Sequence, residues 1–189
     1  MSIYLRDLRK NCIFIRNKIK ISSFIPDGLG ELISKNVPPN HYILGVTYTT
    51  HDCQICISGH PKGEETLMEG ALREMSEELS LTCHNEIRPL FKRDRNHYYC
   101  LSLFDLRLHQ NRATCPERDL RERAVMCVHA PERDILYYLS KVRYNHHNDD
   151  GIVSIWATSK ENILSYIDSE RSGFLSPMSN ILSPDTKKI

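Results

Sequence analysis

Apolar and polar positions along this chain follow two periods, and the switches between them mark its elements. Residues 12–21 (CIFIRNKIKI) end in alternation through Ile15, Lys18, Ile19, Lys20 and Ile21 and predict a strand. Pro26-Asp27-Gly28 is a turn, a short helix is expected over 29–34, and Pro38-Pro39-Asn40 breaks the chain again. Residues 42–50, rich in Tyr, Ile, Val and Thr, predict a strand; 53–58 predict a second, hairpinned on the first across His51-Asp52. Further strands are expected over 97–106 (HYYCLSLFDL), 124–129 and 151–158. Pro131 opens a helix to about Val142, and 160–168 is amphipathic and helical. From Arg171 the chain repeats Leu-Ser-Pro twice and loses periodicity, the signature of a flexible tail. The expected organisation is one domain over 1–170, with 1–41 as a basic N-terminal extension packed on it and 171–189 as the tail.

The clearest helix runs from Leu67 to Leu79. Thr66 and Glu69 have capping-box spacing, so each side chain can satisfy a free backbone amide at the other residue. Leu67, Met68, Ala71, Leu72, Met75 and Leu79 form one apolar stripe. Beside it, Glu74, Glu77 and Glu78 fall within about a third of the circumference. Like charges at i,i+4 cost a helix roughly 0.2–0.5 kcal/mol, and the helix C-terminus also disfavours anions. A helix selected for stability alone would avoid this. A hard divalent cation reverses the sign, because Mg²⁺ and Mn²⁺ take oxygen ligands. For a bare Glu-x-x-Glu-Glu, the competing reading is a solvated acidic face.

The surrounding residues change that balance. The segment reads Gly59-His60-Pro61-Lys62-Gly63-Glu64-Glu65, seven residues, then Arg73-Glu74-Met75-Ser76-Glu77-Glu78-Leu79-Ser80-Leu81. It resembles the signature of the Nudix hydrolase family: Gly, five residues, Glu, seven residues, Arg-Glu-apolar-any-Glu-Glu-any-Gly-apolar. Gly59, Glu65, Arg73, Glu74, Met75, Glu77, Glu78 and Leu81 match in register. Ser80 stands where the family has Gly, at a helix end where left-handed backbone is usual.

The resemblance implies an α/β fold: a Nudix-type α/β/α sandwich with a mixed sheet, the signature forming loop, helix and loop. It implies a Mg²⁺ or Mn²⁺ site ligated by Glu74, Glu77, Glu78 and the Gly59 carbonyl, with the catalytic base among the three glutamates. Glu65 and Arg73 would be the structural pair holding loop to helix. Family members often add an acid before a late strand; Asp150, six residues ahead of Trp156, fits that place, with Glu132 and Glu122 as competitors. Lys62, in the loop, is a candidate substrate-phosphate contact. The implied reaction is hydrolysis of the diphosphate linkage in a nucleoside diphosphate joined to another group. Small nucleotides, dinucleoside polyphosphates, nucleotide sugars and capped RNA 5′ ends all carry that linkage, and residues 66–80 resemble the small mRNA-decapping members. The alternative is a catalytically weak or inactive module of the same family that binds nucleotide, RNA or a protein.

Net charge is +1, so no global field points to nucleic acid or membrane, but the distribution is uneven. Arg6, Arg9, Lys10, Arg16, Lys18 and Lys20 face a single acid, Asp7, in the first twenty residues. With Lys92, Arg93, Arg95, Lys141 and Arg143 they form a track for RNA if they converge in space. Seven scattered cysteines do not form a secreted disulfide framework, and the N-terminus has no signal-like apolar region. No apolar run approaches the roughly 18–20 residues of a membrane span, so an intracellular protein, cytoplasmic or nuclear, is expected. Cys53 and Cys56 have half of a zinc-site spacing; on one strand they would face opposite ways and read as structural thiols. Tyr98 and Phe104 would share one strand face, with Tyr99 on the other. His146 and His147 read as a solvated loop.

Overall fold

The computed structural model describes residues 3–16, 25–50, 53–108, 122–143, 151–172 and 186–188. In chain order, strands β1 (Ile3–Asp7) and β2 (Cys12–Arg16) form a hairpin, followed by helix α1 (Leu29–Asn36) and the long strand β3 (His41–Tyr48). Short strands β4 (Cys53–Ile55) and β5 (Ile57–Gly59) lead through the glycine-containing loop into helix α2 (Leu67–Leu79). Then come β6 (Leu81–Thr82), β7 (Phe91–Arg93), β8 (Asn96–Ser102), β9 (Arg107–Leu108) and β10 (Arg123–Pro131). Helix α3 (Glu132–Lys141), strand β11 (Ile152–Ser159), helix α4 (Lys160–Ser172) and strand β12 (Thr186–Lys188) complete the described chain.

The main sheet is ordered β12-β2-β1-β11-β3-β10-β8-β7, with β4 added on β3 and β5 on β10. It is mixed: β8 and β10 run parallel and the other pairs are antiparallel. Its central strands are apolar on both faces. On β10, Ala124, Met126, Val128 and Ala130 enter one buried cluster, and Val125 and Cys127 enter another. Continuous apolar runs of this kind belong to sheets covered on both sides. Ala71, Met75 and Leu79 of α2, with Ile135, Tyr138 and Leu139 of α3, cover the first face. Leu29, Leu32 and Ile33 of α1, with Ile163 and Ile167 of α4, cover the second. The fold is thus α/β, a mixed open sheet with helices on both faces. No helix among the described residues is long and apolar enough to cross a membrane.

Several expectations are redrawn. The first strand lies at residues 3–7, where Ile3 and Leu5 are buried, and β1 pairs with both β2 and β11. The N-terminal segment is therefore an integral part of the sheet rather than an extension packed on it. The expected strand over 53–58 breaks at Cys56, whose φ of 63° is left-handed, so β4 stays on β3 while β5 crosses to β10. The same kink defeats the strict alternation expected of Cys53 and Cys56, and both enter the α1/α4 cluster. The strand over 97–106 stops at Ser102, whose hydroxyl accepts from the Phe104 amide at 3.4 Å and caps a short 3-10 turn. Phe104 thereby leaves the strand and is 70% exposed, whereas Tyr98 and Tyr99 are buried in opposite clusters. The region expected to be a flexible tail contains the end of α4 and strand β12, which pairs with β2; residues 173–185 lie outside the described residues.

Candidate functional site

Helix α2 is held at both ends. Thr66 Oγ1 accepts from the Glu69 amide at 3.2 Å and Glu69 Oε2 accepts from the Thr66 amide at 2.9 Å, the full capping box. At the other end Ser80 is left-handed, with φ 56° and ψ 33°, and its amide donates to the Met75 and Ser76 carbonyls. The buried hydroxyl of Tyr138, on α3, donates to the Leu79 carbonyl at 2.6 Å. The helix is thus anchored against α3 within one residue of Glu78.

Arg73 organises the site. Its Nε donates to Glu65 Oε1 at 2.8 Å and its Nη2 to the His60 carbonyl at 2.9 Å, so it ties the 59–65 loop to the helix. Glu65 in turn accepts from the Lys62 amide at 2.9 Å. The third guanidinium nitrogen, Nη1, donates to Glu74 at 2.9 Å and to Glu77 at 3.1 Å. Burial alone would pull the Arg73 pKa down, but the Glu65 hydrogen bond and the fields of Glu74 and Glu77 outweigh it and hold it above its ordinary value. A buried carboxylate cluster without this cation would be strongly penalised.

Gly59, at the end of β5, faces Glu74. A Cβ built there falls 2.2 Å from the Glu74 carboxyl carbon, so only glycine lets the carboxylate lie against the strand. Glu78 is buried on the same helix, and its Oε1 lies 3.3 Å from the Tyr48 hydroxyl of β3. Tyr48 also lies 2.8 Å from the Gln54 amide of β4, and Gln54 lies 2.5 Å from Ser58 Oγ of β5. Tyr48 therefore meets Glu78 directly, with Gln54 and Ser58 behind it, and no sequence motif marks the three. Their one signal was a polar residue, Gln54, inside the otherwise apolar run Cys53–Ile57.

The structure thus brings together Gly59, Glu65, Arg73, Glu74, Glu77 and Glu78. Among the described residues, no three His, Cys, Asp or Glu side chains stand as a ready-made ion cage. Glu74 Oε1 and Glu77 Oε2 accept from Arg73 Nη1, while Arg73 Nε and Nη2 hold Glu65 and the His60 carbonyl. The donor set fits a hard divalent ion in chemistry, being all carboxylate and carbonyl oxygen.

Lys62 lies half-buried in the loop, with its amide engaged by Glu65. Asp150, Asp149, His146 and His147 lie outside the described residues. Of the competing acids, Glu132 accepts from the Tyr4 hydroxyl. The Glu122 carboxylate is paired with Lys92 at 3.1 Å and His97 at 3.5 Å, while its carbonyl meets His60 Nδ1 at 2.8 Å.

The basic clusters converge only in part. Arg6 and Arg143 both donate to Asn11 Oδ1, joining the N-terminal hairpin to the end of α3. Lys92 and Arg93 pair instead with Glu122 and Glu31. Cys53, Cys56 and Cys127 are buried; Cys53 meets Thr47 Oγ1 at 3.0 Å, and Cys127 lies between Cys56 and the partly buried Cys100. The Cys100 bond draws the Cys127 pKa down, but Cys56 and burial outweigh it and leave that thiol well above its usual range. Comparison with known proteins finds no family model, no curated protein and no solved structure that matches this chain.

Proposed function

We propose that this chain is a divalent-metal-dependent hydrolase of the Nudix type, acting on the diphosphate linkage of a nucleoside diphosphate joined to another group. The observation that carries the reading is the gathering of Glu74, Glu77 and Glu78 on one face of α2, with Gly59 of β5 pressed against Glu74 and the loop clasped by Arg73. Three carboxylates on one helix face, two of them in its last turn, are costly; Arg73 offsets part of that cost at Glu74 and Glu77, and a divalent ion would offset more. The helices on both sheet faces agree with the sandwich that the resemblance implies.

In this reading Glu77, Glu78 and Glu74, with the Gly59 carbonyl, hold Mg²⁺ or Mn²⁺. Bound there, such an ion neutralises diphosphate charge and lowers the pKa of coordinated water. The protein's own residues do the rest. Arg73 and Glu65 keep the loop on the helix, so the Gly59 carbonyl and the carboxylates stay in one place. One of the three glutamates takes the proton from water. Lys62, in the same loop, would supply a positive charge for substrate phosphate.

The test is hydrolysis by purified protein of ADP-ribose, a dinucleoside polyphosphate, dGTP and cap-labelled RNA, each with Mg²⁺, Mn²⁺ or EDTA, beside Glu77→Gln and Glu78→Gln. Metal-dependent turnover of one substrate, lost in both variants, is expected and identifies the substrate class. Metal-dependent ligand binding without turnover of any of them would replace the hydrolase with a binding module.

A further inference from the structure

A cavity of about 180 Å³ lies beside the turn between β1 and β2, lined by Arg9, Lys10, Arg16, Asp7, Thr47 and Ser154 among others. It is smaller than the roughly 300–1,000 Å³ of pockets that take drug-sized ligands, so it suits one small group rather than a whole nucleotide. Its charged residues are three cations and one acid. Asp7 Oδ1 accepts from the Arg9 and Lys10 amides at 3.0 Å each, so the acid holds the turn that carries two of the cations. Thr47 and Ser154, each 5% exposed, form the buried side of the cavity. Among the described residues no carboxylate pairs with the side chains of Arg9, Lys10 or Arg16. Arg16 Nε is buried with no hydrogen-bond partner there. Lys35, Lys92 and Arg93, by contrast, each meet an acid. Three like charges around one hollow repel one another, and an anion between them reverses the sign.

We infer that this cavity is a binding site for a phosphate group, with Arg9, Lys10 and Arg16 as its cations and the hydroxyls of Thr47 and Ser154 at its floor. Guanidinium and ammonium groups beside hydroxyls are the chemistry that holds phosphate oxygens. The site stands apart from the carboxylates of α2. Leu5, which also lines it, belongs to the cluster under α1 and α4, and Thr47 meets Cys53 of that cluster at 3.0 Å. The next residue, Tyr48, lies 3.3 Å from Glu78 of α2, and α2 covers the other face. The cavity and the carboxylates therefore share one end of the sheet and lie on its opposite faces. A phosphate in the cavity is not the one held by the α2 carboxylates. It belongs either to a small ligand bound in its own right or to a polynucleotide long enough to pass the end of the sheet. The inference goes beyond the hydrolase reading and does not depend on it.

The probes are inorganic phosphate, followed by calorimetry, and a fluorescently labelled single-stranded oligouridylate, followed by anisotropy. Both are titrated into the whole chain at low ionic strength in EDTA, so that no divalent ion sits on α2. The proteins are wild type, Arg16→Gln, the double variant of Arg9→Gln with Lys10→Gln, Asp7→Asn and Lys141→Gln. Losing charged contacts of this kind weakens binding roughly tenfold or more, the loss expected for Arg16→Gln and for the double variant. Asp7→Asn keeps an oxygen for the Arg9 and Lys10 amides and removes the negative charge from the cavity, so it should bind more tightly than wild type. A merely structural role for these residues would produce no such gain. Lys141 is exposed at the end of α3 and outside the cavity, and Lys141→Gln should bind as wild type does. If the phosphate is that of RNA, the oligouridylate follows this order of variants. The slope of its log affinity against log salt then becomes shallower by about 0.7 in Arg16→Gln, the share of one phosphate on a single strand. If the phosphate is that of a small ligand, inorganic phosphate alone follows the order. The site is overturned if wild type binds neither probe, if Lys141→Gln loses as much as Arg16→Gln, or if Asp7→Asn gains nothing. Should Arg16→Gln lower the melting temperature markedly, the double variant, altered only at exposed turn residues, and Asp7→Asn carry the test. Because binding is read without metal, its failure leaves the hydrolase reading standing, and an absence of turnover leaves the phosphate site standing.

Discussion

Replacing Gly59 with alanine separates the site's geometry from the fold's stability. Gly59 sits in β5 with no left-handed φ, so alanine brings no backbone strain. Its Cβ, however, would lie 2.2 Å from Glu74 Cδ and 2.3 Å from both Cγ and Oε1, where ordinary contact begins near 3.4 Å. Glu74 must therefore move by about 1 Å or more, since the Cβ is fixed by the strand and the carboxylate is the end of a bendable side chain. Overpacking of this kind costs about 1–3 kcal/mol. In a domain of this size that lowers the melting temperature by roughly 2–12 °C. The site suffers more, because a misplacement of about 1 Å costs on the order of 10²-fold in rate. The expected outcome is a folded variant by circular dichroism, with turnover down about 100-fold and Mn²⁺ affinity reduced. Gly45→Ala is the contrast: its Cβ meets the fully buried Trp156 ring at 2.2 Å and the Gln54 backbone oxygen at 2.6 Å, so the loss there should fall on stability. Wild-type turnover in Gly59→Ala would refute the claim that Glu74 works while lying against β5.

Two further outcomes follow from single residues. Ser80→Gly should stabilise the protein by about 1 kcal/mol, read as a rise of roughly 2–4 °C in melting temperature, because Ser80 holds a left-handed φ of 56° that glycine adopts freely; an unchanged or lower value would contradict this. The Tyr4 hydroxyl donates to Glu132, and that bond, with burial, pushes its pKa up to about 12. The folded protein therefore holds this proton more tightly than the unfolded chain does. The contribution is fully present below about pH 10 and is lost as pH rises toward 12. Chemical denaturation across pH 9–12 should show that loss in wild type and a smaller one in Tyr4→Phe; equal slopes would remove Tyr4 as its source.

What was legible along the chain is what local chemistry writes locally. The period of Leu67 to Leu79, its Thr66 and Glu69 cap, and the left-handed turn at Ser80 involve neighbours within one or two helical turns. The carboxylate face is of the same kind, since three residues on one helix share a face wherever the helix goes. The Arg73–Glu65 pair was reached through the resemblance, and the structure joins them at 2.8 Å.

Other features came from contacts between segments far apart in sequence. β1 escaped the pattern because Arg6, a charged residue in its middle, is only 5% exposed in the fold, a burial that local sequence does not signal. Strand pairing hid the break at Cys56, where β4 and β5 part to different neighbours although the apolar run between them is continuous. Tyr48, Gln54 and Ser58 carry no motif. Tyr48 meets Glu78, and Gln54 meets Tyr48 and Ser58, only because antiparallel pairing sets β4 beside β3 and packing lays α2 across β5 and β10. A side chain's period and cap are settled by its own turn of chain, whereas its partners across a sheet are settled by register, which depends on every strand at once.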